Sequence, residues 1–418
     1  MVTNQQIANP ELCIIGGGPA GLSAAIRAKE AGLNEVWVIE RAPFLGGILN
    51  QCIHHGFGLF VFGEELTGPE YAQRLIDRAN ELAVRFILNT MVTNITPDRT
   101  VTYTSEAGLE MVRPKTIILA TGCREKPRGS IGIPGNRCAG VLTAGTAQTL
   151  VNMKGVKIGK KVAILGSGDI GLIMARRMTI SGAEVVGVYE IMPHSSGLKR
   201  NIAQCLHDFD IPLYLSHTVT RTVGFDRLHG ICVSPVNEKR EPILSEEFFV
   251  ECDTLLLSVG LLPENELAKG MGLRLSPITG GAVVNSRLET SLPGVFSAGN
   301  TLHVHDLVDN VTLEAYEAAD NAVGYIVDGK QSETVIPVKA GQGVRYTVPM
   351  SLVYAEKSEY TLSFRCTEIL KNARITIFAD NYEVKNVKKR IIIPAEMERM
   401  KFTLDSPCAE LRVEVKGD

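Results

Sequence analysis

Two short glycine-rich segments have the spacing that could hold the phosphates of a dinucleotide. The first, at residues 16–21, follows an apolar run and opens a helical stretch, and residues 166–171 repeat this arrangement. In each segment the first glycine would permit a tight turn, the second a close approach of the backbone to a pyrophosphate, and the third the packing of helix on strand. The N-terminus of the following helix would add free N–H groups and a partial positive charge.

The residues predicted to bind a dinucleotide can be named for each loop. The first comprises Gly16, Gly18, Pro19, Ala20 and Gly21, and the second comprises Gly166, Gly168, Asp169, Ile170 and Gly171. A tight turn that binds nothing is the alternative for the first loop. The second loop could also bind another adenine nucleotide or be vestigial, because a fold does not guarantee its function.

An acidic residue follows each loop at the same distance. Glu40 and Glu190 each lie 24 positions after the first glycine of their loop (40 − 16 and 190 − 166). A carboxylate there can accept a hydrogen bond from a ribose 2′-OH and would repel a 2′-phosphate. No arginine directly follows Glu190, although Lys199 and Arg200 lie further on and could reach back. The second loop therefore predicts NADH in preference to NADPH.

The loops need strands and helices on either side to position them, and the sequence predicts both. Apolar runs at 12–15 and 36–39 flank a helical stretch at 22–31, and the pattern returns after residue 160. Each copy is predicted to be a βαβ unit, and two matched copies are stronger evidence than one motif. Further apolar strands ending at 122 and 260 would mark crossings between domains.

The rest of the chain completes an α/β fold with two Rossmann-like domains, one inserted in the other, and a small C-terminal all-β domain. Alternation between 219 and 250 predicts short antiparallel strands, and an alanine-rich stretch at 311–327 predicts a helix. From about Ser332 the residues are β-branched or alternating, which predicts a small β sandwich. The predicted boundaries are 1–122 and 263–330 for the two halves of the first domain, 123–262 for the inserted domain and 331–418 for the β domain.

A set of short motifs resembles the FAD fingerprints of the pyridine nucleotide–disulfide oxidoreductase superfamily, whose fold is thioredoxin-reductase-like. In chain order these motifs are Gly16 to Gly21, Glu40 with Arg41, Gly46-Gly47, Ala120-Thr121-Gly122 and Val295 to Gly299. The resemblance covers about residues 10–330. It implies that the first domain binds FAD, and that the inserted domain binds NAD(H) through its glycine loop, Glu190 and Gly260.

The same resemblance implies contacts along the flavin. Gly46-Gly47 would pass close to the flavin, and Val92 would contact the adenine through its backbone. Gly299-Asn300 would hold the ribityl chain and pyrophosphate, and a helix starting near Val311 would point its N-terminus at the N1–C2=O edge. The family usually has aspartate where this chain has Asn300. An asparagine could still accept a ribityl hydroxyl bond through its amide oxygen, but it would hold FAD more loosely.

Disulfide reductases of this superfamily carry a redox cysteine pair, and this chain has none in the expected places. None of its nine cysteines form a C-x-x-C, so a thiol–disulfide relay is not expected. Cys52 and His54 are the candidate catalytic residues, as a lone charge-transfer thiolate or sulfenic acid and as a proton donor beside the flavin. A packing role for the cysteine and a packing or surface role for the histidine are the alternatives. The same alternatives apply to His303 and His305.

A closer resemblance is to the FAD/NAD-binding oxidoreductases associated with flavin-dependent glycerol-3-phosphate dehydrogenases. The stretches that carry it are 46–62, 65–70, 303–309 and 343–346. More distant relatives are the alpha subunits of amino-acid, opine and cyanide-forming dehydrogenases. This resemblance implies that electrons pass between nicotinamide, FAD and a partner flavoprotein dehydrogenase subunit.

Composition and charge argue against other classes of partner. The 418 residues allow two or three domains, and a net charge of −3 gives no reason to expect nucleic acid or an anionic membrane. The polar start and the early glycines predict neither a signal peptide nor a membrane span. Nine cysteines, an odd number in a chain with no predicted secretion signal, favour reduced thiols, so we expect a cytoplasmic protein. We expect a homo-oligomer and predict no metal site.

The expected reaction is hydride transfer between nicotinamide C4 and flavin N5, with an unidentified second acceptor or donor. Three alternatives stay open: an electron-relay subunit of a glycerol-3-phosphate or amino-acid dehydrogenase, an NADH oxidase, and a non-catalytic nucleotide-binding scaffold. The sequence does not explain the β domain, for which a dimer or partner surface is our hypothesis.

Overall fold

The computed structural model describes residues 7–329 and 334–417. The chain forms two compact units, of which one contains the residues up to Cys123 and those from Pro263 onward, and the other is the inserted segment Arg124–Leu262. The predicted boundary between residues 330 and 331 lies outside the described residues.

Helices and strands alternate along most of the chain, and strands alone make up its C-terminal part. The helices are α1 (Pro19–Glu30), α2 (Gly68–Glu81), α3 (Arg128–Ile131), α4 (Ala144–Lys154), α5 (Asp169–Ile180), α6 (Lys199–Cys205), α7 (Glu266–Gly270) and α8 (Val308–Asp328), with 3-10 turns at Gly47–Gln51, His207–Phe209, Leu244–Glu246 and Gly299–Thr301. The strands are β1 (Leu12–Ile15), β2 (Val36–Ile39), β3 (His55–Phe57), β4 (Leu66–Thr67), β5 (Arg85–Ile87), β6 (Met91–Ile95), β7 (Val101–Ser105), β8 (Gly108–Val112), β9 (Thr116–Leu119), β10 (Cys123–Glu125), β11 (Val141–Thr143), β12 (Lys161–Leu165), β13 (Glu184–Glu190), β14 (Leu213–Leu215), β15 (His217–Gly224), β16 (Leu228–Pro235), β17 (Phe248–Glu251), β18 (Thr254–Leu257), β19 (Leu261–Pro263), β20 (Val295–Ser297), β21 (Val335–Ala340), β22 (Val344–Val348), β23 (Ser351–Val353), β24 (Glu359–Cys366), β25 (Leu370–Ala379), β26 (Tyr382–Ile392), β27 (Glu398–Thr403) and β28 (Leu411–Lys416).

The first unit is built on a parallel sheet in the order β20-β9-β1-β2-β5. All residues of β1, β2 and β9 are buried, because helices cover one face of the sheet and the meander β6-β7-β8 packs on the other. Strands buried on both faces read as continuous apolar runs, which is why the sequence predicts them well. Buried alanines line the contact of α1 with α8, among them Ala24 and Ala315.

The inserted unit repeats this plan. Its parallel sheet has the order β11-β18-β12-β13-β14, so that β12 lies between β13 and β18 as β1 lies between β2 and β9. The antiparallel strands β15-β16-β17 form a second sheet, as the alternation between 219 and 250 predicts. The carboxyl ends of the parallel strands therefore lie where the glycine loop begins in both units.

The C-terminal part of the first unit is all β. One sheet has the order β23-β21-β28-β25-β26 and the other β22-β24-β27, and their inner faces share one apolar core that includes Phe364 and Ile375. The predicted fold class, two Rossmann-like domains with a C-terminal β domain, is confirmed. Among the described residues no helix is long and apolar enough to span a membrane.

Candidate functional site

The first glycine loop is shaped by two positions where a side chain would collide with backbone. Gly16 has φ +111°, and a Cβ there would lie 2.4 Å from the carbonyl oxygen of Ala120. A Cβ on Gly21 would lie 1.9 Å from the carbonyl oxygen of Gly16. The backbone at Gly18, by contrast, is open, since a Cβ would meet nothing nearer than the Cα of Gly47 at 3.9 Å. This open backbone at the start of α1 is the face that a pyrophosphate needs.

The structure brings the separate FAD motifs of the sequence together around this loop. Gly46 donates its N–H to the carbonyl of Gly17 across 2.9 Å, and Gly299, with φ +76°, lies so close to α1 that a Cβ would be 2.9 Å from that of Ala20. The Thr121 hydroxyl lies 2.9 Å from the hydroxyl of Thr301. Motifs nearly 300 residues apart therefore form one cradle, and its residues fit FAD.

Glu40 lies at the end of β2, with its carboxylate directed at the loop. Its Oε2 accepts the N–H of Gly17 at 2.7 Å and its Oε1 accepts the N–H of Ala42 at 2.8 Å. A carboxylate has about four acceptor positions, so two remain for a ribose. Arg41 is exposed beside it.

Two other predicted FAD residues lie further from the loop. Val92 is buried in β6, where it pairs with Tyr103 of β7. The helix α8 begins at Val308, so its first free N–H groups precede Val311 by one turn. The helix is the predicted one, but its N-terminus is three residues earlier than the sequence indicated.

Asn300 lies in the 3-10 turn at Gly299–Thr301, and its amide is already oriented. Its Oδ1 accepts the backbone N–H of His305 at 3.0 Å, and its Nδ2 lies 3.6 Å from the sulfur of Cys123. Only the oxygen of the amide can accept from an N–H, so the NH₂ group faces the other way. Asn300 is therefore better placed to donate a hydrogen bond from its amide nitrogen than to accept one as the sequence suggested.

A buried cluster lies directly behind Gly299. Glu314 of α8 accepts the N–H of Gly299 at 2.7 Å, and its two oxygens lie 2.7 Å from Nε2 of His303 and 3.1 Å from Nε2 of His305. Burial by itself would raise the pKa of Glu314, but the two imidazoles hold this pKa well below its usual range. Burial also lowers the pKa of His303, and the adjacent Glu314 carboxylate opposes this shift.

These three side chains are of the types that bind metals, and their donor atoms all lie within 4.8 Å of one another. The sequence pointed to the two histidines but not to Glu314. An acidic residue on the alanine-rich, buried side of a predicted helix was the available signal.

A second buried carboxylate that was not predicted from the sequence is Asp309, in the first turn of α8. It accepts backbone N–H groups of Gly58, Phe60 and Val61 at distances of 2.9 to 3.2 Å. The aspartate thus fixes the segment at 58–61 to the N-terminus of α8. Three N–H groups also satisfy a charge that burial would otherwise make costly.

The glycine loop of the inserted unit has the same construction. A Cβ on Gly166, which has φ +96°, would lie 2.1 Å from the carbonyl oxygen of Ser258, and one on Gly171 would lie 2.7 Å from that of Gly166. Gly168 precedes α5 as Gly18 precedes α1, and neither helix has a side-chain cap. Gly260, with φ +103°, follows at the end of β18.

Glu190 repeats the geometry of Glu40 with additional partners. It accepts the N–H of Ser167 at 2.9 Å and that of Met192 at 3.0 Å. The hydroxyls of Ser167 and Ser196 also donate to its Oε2, at 2.5 and 3.3 Å. These four donors occupy the roughly four acceptor positions of Glu190, so a ribose hydroxyl would have to take the place of one of the serine hydroxyls.

Asp169 and Ile170 open α5, at the positions that Pro19 and Ala20 occupy in α1. Oδ1 of Asp169 accepts the N–H of Leu198 at 2.8 Å and the amide of Asn201 at 2.7 Å. Its side chain therefore holds the start of α6. Lys199 and Arg200, the two cations that could approach a 2′-phosphate, are exposed on that helix.

The candidate catalytic residues lie between the 3-10 turn at Gly47–Gln51 and the start of α2. Cys52 packs against Gly68 and donates from its thiol to the carbonyl of Ile48, at 3.4 Å. Burial raises the pKa of the Cys52 thiol to about 12, so it is protonated at neutral pH. The His54 ring lies against Phe57, with centroids 5.1 Å apart. All nine cysteines are free.

Comparison with known proteins supports a common origin for most of the chain. Residues 10–324 match the pyridine nucleotide-disulphide oxidoreductase family. Hydrogen cyanide synthase subunit HcnB of Pseudomonas protegens is 28% identical over 69% of this chain and 65% of its own length. An alkyl hydroperoxide reductase subunit of Pseudomonas aeruginosa is 28% identical over 70% of this chain and 54% of its own length. Each match spans less than two thirds of the relative.

Solved structures show the same fold. Thioredoxin reductase of T. acidophilum aligns with a TM-score of 0.63 at 23% identity, covering 76% of this chain and 99% of that one. L-proline dehydrogenase of P. horikoshii aligns with a TM-score of 0.53 at 20% identity, covering 76% of this chain and 56% of that one. At these identities the likeness concerns the fold alone.

Proposed function

Because the chain belongs to the pyridine nucleotide-disulphide oxidoreductase family, whose members bind FAD and a nicotinamide cofactor, we propose that it transfers hydride between NADH and FAD. Electrons then pass to or from a second acceptor or a partner dehydrogenase. NADH is favoured over NADPH, and the chain does not act as a dithiol–disulfide reductase.

One observation carries this proposal: the two glycine loops make equivalent hydrogen bonds to their acidic residues. Each acidic residue accepts the N–H of the second residue of its loop through Oε2 and the N–H two positions after itself through Oε1. In each loop the first glycine lies against the carbonyl at the end of a neighbouring parallel strand. Two dinucleotide sites built to one plan support an enzyme that uses two dinucleotides.

When bound, FAD supplies the hydride chemistry, and the residues of this chain hold it in place. The open backbone at Gly18 and the start of α1 would bind its pyrophosphate, and Glu40 would bind its ribose. Asp309 keeps the N-terminus of α8 in register with the segment at 58–61. That helix terminus would offset negative charge on the bound ring system.

We propose that the chain has no dithiol relay because of the spacing, the free thiols and the protonation of its cysteines. None form a C-x-x-C, and all nine are free. The thiol of Cys52 is protonated at neutral pH and already engaged with Ile48. A protonated, partly buried thiol is a poor nucleophile toward a disulfide.

The test is an anaerobic titration of the FAD-loaded protein with NADH and, separately, with NADPH, followed by flavin absorbance. Rapid bleaching by NADH, and much slower bleaching by NADPH, is expected. Addition of dithiol or disulfide substrates should not change the rate of flavin reduction or reoxidation. Bleaching by NADPH alone would reverse the assignment of Glu190. A flavin that neither nucleotide reduces would exclude hydride transfer at the second site.

A second candidate function is a relay subunit that works only with a partner flavoprotein. Five large apolar side chains between residues 44 and 60 are exposed, among them Leu59 at 62% and Phe60 at 68%. Exposed apolar residues in one segment are typical of an interaction surface. The two relatives from Pseudomonas are likewise named as subunits.

Turnover separates the two candidates. A self-sufficient enzyme should pass electrons from NADH to quinones, dyes or oxygen at a rate close to that of flavin reduction. A relay subunit should show fast flavin reduction by NADH but slow turnover with each of these acceptors. Oxygen uptake matching NADH consumption would instead identify an NADH oxidase.

A further inference from the structure

The C-terminal β domain contacts the segment between two predicted FAD-binding residues, Asn300 and Val311. Arg365 of β24 donates through Nη2 to the carbonyl of Val304, at 3.1 Å, and to the carboxylate of Asp306. The other oxygen of Asp306 accepts the backbone N–H of Met397 at 2.7 Å. Arg399 of β27 donates to the side chain of Asn310 at 2.8 Å. The segment from 304 to 310 is thus held at several points by one domain.

The guanidinium of Arg365 is largely buried, and each of its three nitrogens donates a hydrogen bond. Its side chain is only 12% exposed, and that of Asp306 is 21% exposed. It also bonds the Tyr346 hydroxyl through Nε, at 3.2 Å, and the carbonyl of Ala395 through Nη1. A planar fork that satisfies this many acceptors fixes their relative positions, which a lysine could not do.

Hydrogen bonds continue from this segment to the turn at Gly299–Thr301. His305, adjacent to Asp306, donates its backbone N–H to Oδ1 of Asn300. Its ring bonds Glu314, which in turn accepts the N–H of Gly299. A hydrogen-bonded path therefore runs from the β domain to both residues that the family resemblance assigns to the ribityl chain and pyrophosphate.

We propose that Arg365 is a positioning residue for FAD, and that through it the C-terminal β domain holds the turn at Gly299–Thr301 in place. Arg365 fixes the backbone from Val304 to Asp306, and this directs the His305 N–H at Asn300. The inference rests on the proposed function, because it takes Gly299 and Asn300 as FAD contacts. It goes further by giving the β domain a role in cofactor binding.

The cluster of His303, His305 and Glu314 contributes to holding this turn through hydrogen bonds between both imidazole rings and the carboxylate. Among the described residues, the Nδ1 atoms of both histidines are buried and have no hydrogen-bond partner. The Nε2–carboxylate distances of 2.7 and 3.1 Å are those of ordinary hydrogen bonds.

The experiment compares Arg365→Gln with Arg374→Gln, an exposed arginine of β25 in the same domain. The dissociation constant of FAD is measured on the apoprotein of each full-length variant by flavin fluorescence. Arg365→Gln should raise this constant about tenfold, and Arg374→Gln should leave it within about twofold of wild type. Arg365→Lys should give an intermediate value, and it serves as the test if the glutamine variant does not fold.

A double-mutant cycle distinguishes positioning from general destabilisation. Combined with Asn300→Ala, Arg365→Gln should weaken FAD binding by much less than the product of the two single effects, because both act on one contact. Independent, multiplicative effects would overturn the positioning role, as would equal FAD affinity of the Arg365 and Arg374 variants. Wild-type protein that binds no FAD would overturn both the positioning role and the proposed function.

Discussion

Glu190 and Ser167 are joined by two hydrogen bonds, from the serine N–H at 2.9 Å and from its hydroxyl at 2.5 Å. In the first loop the residue at the equivalent position is Gly17, which offers Glu40 only its N–H. The carboxylate of Glu190 is therefore held more rigidly and has less capacity for a ribose diol. Its negative charge still lies where a 2′-phosphate would have to bind.

We predict that Glu190→Gln weakens NADH binding about tenfold and narrows the discrimination against NADPH. The amide removes the charge that repels a 2′-phosphate and one of the strong acceptors for a ribose hydroxyl. Dissociation constants for both nucleotides, from anaerobic flavin titrations, measure the effect. Glu184→Gln, at the exposed start of the same strand, is the matched control. An unchanged NADH to NADPH ratio would show that Glu190 does not select the nucleotide.

Substituting the first glycine of each loop should impair one cofactor at a time. Gly166→Ala places a Cβ 2.1 Å from a backbone oxygen at φ +96°, so we expect loss of flavin reduction by NADH with FAD retained. Gly16→Ala makes the corresponding collision in the first loop and should abolish FAD binding. Gly129→Ala, where a Cβ meets open space, should retain both properties. Loss of FAD from the Gly166 variant would contradict the assignment of one dinucleotide to each loop.

The sequence predicted the loops and sheets because their signals are local. A strand buried on both faces is a run of apolar residues, and a loop whose glycines cannot carry a Cβ shows this in its spacing. The carboxylates of Asp309 and Glu314 were missed because their partners lie far away in the chain, at Gly58 to Val61 and at Gly299. Arg365 could not have been found at all, since nothing in its own strand predicts Asp306 as its partner.

Cys52 should prove dispensable for flavin reduction. With a pKa of about 12, its thiol is ionised in only about one molecule in ten thousand at pH 8. Cys52→Ala is expected to keep the rate of flavin reduction by NADH within about twofold of wild type. Alkylation by iodoacetamide at pH 8, mapped by mass spectrometry, should be slower at Cys52 than at a free cysteine in a denatured sample. Rapid labelling, or loss of a long-wavelength absorbance band in the variant, would restore it as a thiolate.

Asn300 provides a test of how the loop meets FAD. Its Oδ1 accepts the His305 N–H, so Nδ2 is the amide atom better placed for the cofactor. A ribityl hydroxyl there would accept from Nδ2, and it can rotate to donate to a carboxylate oxygen instead. Asn300→Asp keeps the bond to His305 and presents a second, charged acceptor to a ribityl hydroxyl. We expect FAD to bind about five- to tenfold more tightly, because a charge-assisted hydrogen bond is roughly twice as strong as a neutral one. Fluorescence titration measures this, with Asn300→Ala as the reference. Weaker binding by the aspartate variant would indicate that the facing group of FAD can accept a hydrogen bond but cannot donate one.

Glu317 of α8 should make stability depend on pH. Burial raises its pKa to about 7, the charge of Glu314 adds to this, and Arg399 and Lys401 oppose it. The folded state holds the proton of Glu317 more tightly than the unfolded chain does. Protonated Glu317 therefore contributes fully to the free energy of unfolding below about pH 4.5, and this contribution is lost as the pH rises through 7. Glu317→Gln should therefore raise the free energy of unfolding at pH 8 by roughly 1–3 kcal/mol and have little effect at pH 5. Denaturant unfolding of the full chain at both pH values, with Glu81→Gln on the exposed end of α2 as control, measures the difference. Equal effects at the two pH values would show that Glu317 titrates normally in the folded protein.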